Sequence, residues 1–173
     1  MKLKITNARL SFPNLFKRAS FQGEEGKYGC TLLIAKDDPQ IGKIKDAIGT
    51  LVANELKGAK LGPDKICLRD GDESEYDGYA GHYSLKASLD QRPTVIDRDK
   101  SPLTADDGVP YAGCYVNASV TLWAQSNSWG KRINASLGGV QFVKDGTPFS
   151  GSRAASVDEF DEVEWEDDGS DGF

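Results

Sequence analysis

Apolar and polar positions alternate from the second residue of the chain. Leu3 and Ile5 share one parity, whereas Ala8, Leu10 and Phe12 share the other. The phase change at Thr6-Asn7 predicts a β-bulge in a long first strand, bent so that it serves both sides of a small barrel. Residues 27–36 (KYGCTLLIAK) are apolar on both parities, which predicts a strand buried on both faces. Ile41, Ile44, Ile48, Leu51 or Val52, and Leu56 then recur at helical spacing. Asp37 and Asp38 suit the cap of that helix, Pro39 its first turn and Gly58 its exit. Gly42 and Gly49 each weaken it by ~1 kcal/mol, which close packing on a sheet would offset.

Three more strands are predicted over 79–89, 113–124 and 131–143. Segment 70–78 (DGDESEYDG) is an acidic loop, and 90–112, with Pro93, Pro102 and Pro110, is a long one. From about residue 150 Gly, Ser and acids take over without periodicity, predicting disorder. The expected fold is mainly β: an OB-fold-like Greek-key barrel with one amphipathic helix over 1–152, followed by a disordered acidic C-terminal tail over 153–173. The helix follows the second legible strand, whereas an ordinary OB fold places it after the third. Either a strand is hidden in 12–26 or 60–69, or the topology is modified.

Segment 113–124 separates cleanly by parity. Cys114, Val116, Ala118, Val120, Leu122 and Ala124 are expected to point inward. Tyr115, Asn117, Ser119, Thr121 and Trp123 are expected to point outward, with Tyr111 in phase. In the next strand Ile133, Ala135 and Leu137 face in and Arg132, Asn134 and Ser136 face out. A hairpin through Gln125–Gly130 puts Trp123 opposite Arg132 and Thr121 opposite Asn134, with Trp129 in the turn beside Lys131. Large rings on a polar face forgo burial, and so point to a ligand with flat apolar surfaces. Unpaired bases fit: stacking on Trp or Tyr contributes ~1–3 kcal/mol per base with little sequence preference, and cations beside the rings neutralise phosphates. The candidate DNA-binding residues are Tyr111, Tyr115, Trp123, Trp129, Lys131, Arg132, Lys86 and Arg92. Tyr79 and Tyr83 share parity with Leu85 and are expected in the core.

Charge changes the picture only when it is divided. The chain of 173 residues carries 27 acids and 21 bases, a net charge of −6. Nine of the 27 acids lie in 158–173, which holds no Lys or Arg; 18 acids then face 21 bases over 1–157, a net of +3. A mildly basic body carries a polyanion. Sixteen extended residues span roughly 50 Å, enough to cross the face of a small barrel. The tail is therefore expected to compete with nucleic acid for the groove, with Phe160, Trp165 and Phe173 as partner-docking anchors.

Cys30, Cys67 and Cys114 are widely spaced and read as buried free thiols, and His82 is the sole histidine. No cofactor or metal is expected. The N-terminus lacks a hydrophobic signal core and no apolar run reaches the ~18–20 residues of a membrane span, so the expected location is the cytoplasm. Two rival readings remain. One is a metal-dependent nucleic-acid enzyme using Asp70, Asp72, Glu73, Glu75 and Asp77, although an EF-hand fails because Glu75 stands where a glycine is needed. The other is an acidic DNA mimic, against which the concentration of acids in a tail speaks.

The segments RLSFPNLF (9–16), KYGCTLLIAK (27–36), LRDGD (68–72), RPTVID (92–97), YAGCYVNASV (111–120) and LGGVQFVKDG (137–146), in this order, resemble phage single-stranded-DNA-binding proteins once known only as a domain of unknown function. The likeness covers about residues 2–160. It implies an OB fold, coating of single-stranded DNA during phage replication or recombination in the host bacterium's cytoplasm, and recruitment of replication proteins such as DNA polymerase through the tail. A homodimer is compatible with it.

Overall fold

The computed structural model describes residues 1–149 and Val163; most of the predicted tail lies outside the described residues. Among the described residues, nine strands and one α-helix follow in the order β1 (Lys2–Asn14), β2 (Ser20–Phe21), β3 (Glu24–Glu25), β4 (Tyr28–Ala35), α1 (Gln40–Glu55), β5 (Leu68–Asp70), β6 (His82–Leu89), β7 (Thr94–Ile96), β8 (Tyr115–Asn127) and β9 (Gly130–Lys144). β1 lies between β4 and β8, β4 also pairs with β6, and β8 with β9, all antiparallel. A parallel contact between β6 and β9, Ser88 to Ser136, closes the circle. The five barrel strands β1, β4, β6, β8 and β9 are thus wound as in an OB fold. The departure is the helix, which lies between the second and third barrel strands.

The long first strand bends where its phase changes. Its register against β8 shifts between Ile5 and Ala8, and Asn7 takes φ 56°. Leaving the ladder exposes backbone groups that need partners. The Gln40 side-chain amide takes both of Thr6's: it accepts from Thr6 N at 3.0 Å and donates to Thr6 O at 2.8 Å. Asn7 N donates to the Asn117 side chain at 3.0 Å. The bulge thereby fixes the start of α1 as well as the bend.

Ile41, Ile44, Ala47, Ile48 and Leu51 form the buried stripe of α1 and join a core with Ile5, Leu10, Leu32, Leu85, Val116, Val120, Leu122 and Leu137. The Asp38 carboxylate accepts from Gln40 N at 3.0 Å, while Pro39 takes the N-cap position instead of the first turn. Gly58, at φ 71°, donates to Val52 O at 2.9 Å and ends the helix. Gly42 and Gly49 do not pack closely on the sheet as expected; both are exposed, with nothing within 4 Å of an added Cβ. Gly49→Ala is therefore expected to stabilise the fold by about 1 kcal/mol, or ~3 °C in Tm, and Gly42→Ala, in the first turn, by less. Thermal melts check this; a lower Tm for Gly49→Ala would contradict it.

β4 is buried on both faces, Thr31 and Leu33 on one side and Cys30, Leu32 and Ile34 on the other. Cys114 and the inward positions Val116, Ala118, Val120 and Leu122 of β8 are also buried as parity predicts, while Ala124 is half-buried. Three expectations need correction. Phe12 does not continue the inward parity of Leu10: a second irregularity between Ser11 and Asn14, with Phe12 at φ 47°, turns its ring out to 51% exposure. Tyr83 is half-buried, packed against the core cluster beneath Lys45 instead of inside it, whereas Tyr79 is buried as expected, its hydroxyl donating to Ser11 Oγ at 3.0 Å. Tyr111 is buried at 9% exposure and its hydroxyl donates to Asp145 at 2.7 Å. A turn, closed by Cys114 N donating to Tyr111 O at 3.1 Å, separates it from β8, so the strand's phase does not extend back to it.

Candidate nucleic-acid interface

The hidden strand creates the site. Between β6 and β9 the barrel seam opens to admit residues 66–70: Cys67 N donates to Ile133 O at 3.0 Å, and Lys86 N to Cys67 O at 3.1 Å. β5 then pairs with β6 from Leu68 to Asp70. Over this wedge lies a groove of about 410 Å³, lined by the cations Lys27, Lys65, Arg69, Lys86 and Arg132, by Trp123, and by the acids Asp64 and Asp90. Two of the cations converge on one carbonyl. Asp64 O accepts from Arg132 Nη2 at 2.9 Å and from Arg69 Nη2 at 3.1 Å. Asp90 is offset by Arg18 at 2.8 Å, which holds its carboxyl below the usual range.

The β8–β9 hairpin rises beside this groove. Its register puts Trp123 opposite Asn134 and Gln125 opposite Arg132, with Asn127 paired to Gly130. The predicted register was therefore off by two residues, because the turn holds only Ser128 and Trp129. Gly130, at φ 106°, adopts the left-handed backbone beside this tight turn. A shift of two keeps every side chain on its predicted face, so Trp123, Asn134 and Ser136 all remain outward. An amide relay stiffens the tip: Asn134 donates to Gln125 at 2.9 Å, Gln125 to Asn127 at 3.2 Å, and the Asn127 side chain accepts from Trp129 N at 2.9 Å. Trp129 is 84% exposed and Trp123 41%, on a rigid scaffold.

Of the residues expected from sequence, Lys86, Trp123 and Arg132 line one groove, with Trp129 and exposed Lys131 on the hairpin beside it. Tyr115 lies at the other end of β8 under Lys144, whose Nζ is 4.8 Å from the ring, and lines neither this groove nor its neighbour. Arg92 is exposed and rests 5.5 Å over Phe16. Lys27, Lys65 and Arg69 were missed, since they come from two stretches, before β4 and over 65–69, that only the closed barrel brings to β8 and β9.

The acidic loop is organised around an internal cation. Lys36 Nζ contacts Asp70 at 2.6 Å and Asp72 at 2.5 Å, lowering both carboxyls, and Asp72 also accepts from Gly81 N at 2.7 Å. Among the described residues, no three His, Cys, Asp or Glu side chains gather into a metal-holding set. Burial pushes the Cys30 thiol up to about 12 and those of Cys67 and Cys114 up to about 11, so all three are protonated and poorly nucleophilic at neutral pH. Among the described residues no helix is long and apolar enough to cross a membrane.

A closed barrel of this winding, with rings and cations sharing an open groove, defines an OB-fold protein with a surface suited to unpaired nucleic acid. The chain belongs to the family described as Enterobacter phage Enc34, ssDNA-binding protein, whose profile matches residues 1–170. It is 45% identical over 174 residues to putative protein p50 of Acyrthosiphon pisum secondary endosymbiont phage 1, covering 94% of each. It is also similar to the single-stranded DNA-binding protein of bacteriophage Enc34 solved in complex with ssDNA. That match has 32% identity and a TM-score of 0.75, over 86% of this chain and 89% of the other. The single-stranded DNA-binding protein gp2.5 of bacteriophage T7 shares the fold at 13% identity and a TM-score of 0.53, over 90% of this chain and 98% of that one.

Proposed function

We propose that this protein binds single-stranded DNA without strong sequence preference during phage replication or recombination. Bases stack on Trp123 and Trp129, while Lys86 and Arg132, joined by Lys27, Lys65 and Arg69, take the phosphates. The observation that carries this reading is the meeting of Trp123, Lys86 and Arg132 in one groove beside the exposed Trp129. Rings of any base can use such a surface, which is why sequence preference is weak. The role is binding and coating, with no catalytic step assigned to any residue. Lys131 extends the cationic rim at the hairpin.

The acidic tail is the regulator in this proposal. As a polyanion it competes for the same cations, and its aromatics Phe160, Trp165 and Phe173 dock replication proteins such as a polymerase. One experiment addresses groove and tail together: titration with a dT oligomer at two salt concentrations, using the full chain and a chain ending at Val157. Tryptophan fluorescence is expected to quench to saturation in both, and binding to weaken with salt. The shorter chain is expected to bind more tightly at low salt, with the difference shrinking as salt screens the tail. Absence of saturable quenching would remove the groove reading, and equal affinity of the two chains at low salt would remove the competition.

A further inference from the structure

The groove does not end at Lys86. A second hollow of about 1010 Å³ shares Lys27, Cys67, Arg69, Lys86 and Ser88 with the first and continues over β4 to the distal end of β1. Two exposed rings stand at its far side, Phe12 at 51% and Tyr76 at 61% exposure. They meet edge to face with centroids 4.8 Å apart. Tyr76 in turn leans on Tyr79 at 5.4 Å, and Tyr79 is anchored by its hydroxyl to Ser11 Oγ. The rings are held in place from below and bare above.

Phe12 reaches this position only through a left-handed backbone, φ 47°, which a phenylalanine rarely adopts. Strain of that kind persists where the surroundings enforce it, and is common at ligand-binding positions. Burying the ring with Leu10 would have been the easier course. Instead the chain spends a bulge to present it to the groove.

We infer that Phe12 and Tyr76 form a second base-stacking station, so that one strand of DNA runs from Trp123 on β8 over β9, β6 and β4 to the distal end of β1. This rests on the reading that unpaired DNA lies in the groove. With residues 66–67 wedged between β9 and β6, five inter-strand steps of ~4.8 Å separate the stations by roughly 25 Å, a distance a few unstacked nucleotides cover. Lys27, Arg69 and Lys86 lie between them for the phosphates.

The test uses Tyr76→Ala, Phe12→Gly and Trp123→Ala with dT oligomers of about four and about twelve nucleotides. Glycine at 12 removes the ring and also relieves the backbone, so the Tm of that variant is expected to hold or rise. Tyr76→Ala and Phe12→Gly are each expected to weaken binding of the longer oligomer about tenfold and of the shorter less than about twofold, whereas Trp123→Ala weakens both. If the longer oligomer is indifferent to Phe12 and Tyr76 while Trp123→Ala still weakens binding, the second station is refuted and the groove reading stands. Indifference to all three substitutions refutes both. A fall in Tm with equal loss for the two oligomers would make Phe12 a structural residue, and tighter binding by the variants would make the rings a seat for a competitor; either overturns the station.

Discussion

The double substitution Trp123→Ala with Trp129→Ala is expected to lower affinity for a dT oligomer about a hundredfold, at ~1–3 kcal/mol per stacked base. The fold should tolerate it. Trp129 is 84% exposed and its backbone is held by Asn127 rather than by its ring, while Trp123 is 41% exposed beyond the core set of β8. Thermal stability is accordingly expected to stay within about 2 °C of the parent, since surface changes are usually worth under about 0.5 kcal/mol. The remaining tryptophan, Trp165, lies in the tail, so binding is best read by polarisation of a labelled oligomer. Losses for the single variants show how the two rings share the load: near-additive losses mean separate bases, and a strongly sub-additive pair means one base held between them. Affinity within about twofold of the parent for the double variant would show that neither ring is a stacking platform.

Parity carried most of what the sequence could say about this surface. Along β8 from Val116 to Trp123, and on β9 up to Leu137, the alternation is strict, so Trp123, Arg132, Asn134 and Ser136 face outward under either the predicted register or the observed one, two residues apart. What parity could not supply was the stop of the strand before Tyr115, where a turn over Tyr111–Cys114 puts Tyr111 into the core. Nor could it supply the local reversal at Phe12, because a bulge is set by the ladder on both edges of β1 and not by the residues of β1 alone. The Thr6-Asn7 bulge was legible because it shifts a long apolar pattern on either side. β5 was legible only as one of two windows for a hidden strand, 12–26 or 60–69, since three residues carry no usable periodicity. With β5 unplaced, the wedge that brings Cys67 and Arg69 beside Lys86 could not be drawn, and the cations Lys65 and Arg69 were left out of the groove's charge.

That charge governs the second large effect. Five cations line the groove beneath Trp123, and if each neutralises one phosphate the affinity falls with salt at a log–log slope of about −3.5 for a single strand. Raising salt from about 50 to about 200 mM is then expected to weaken binding roughly a hundredfold. Lys86→Ala with Arg132→Ala removes two contacts and should bring the slope to about −2, so that the variant's deficit is large at low salt and small at high salt. Stacking loss behaves differently, shifting affinity by a nearly constant factor at every salt concentration, and the two contributions separate on one plot. The chain ending at Val157 is the proper reference, because a competing polyanion is itself released by salt and flattens the apparent slope of the full chain. A slope near −1 in that shorter chain, or a parental slope in the double variant, would mean that the phosphates run elsewhere on the barrel and that the rings of the groove face something other than a bound strand.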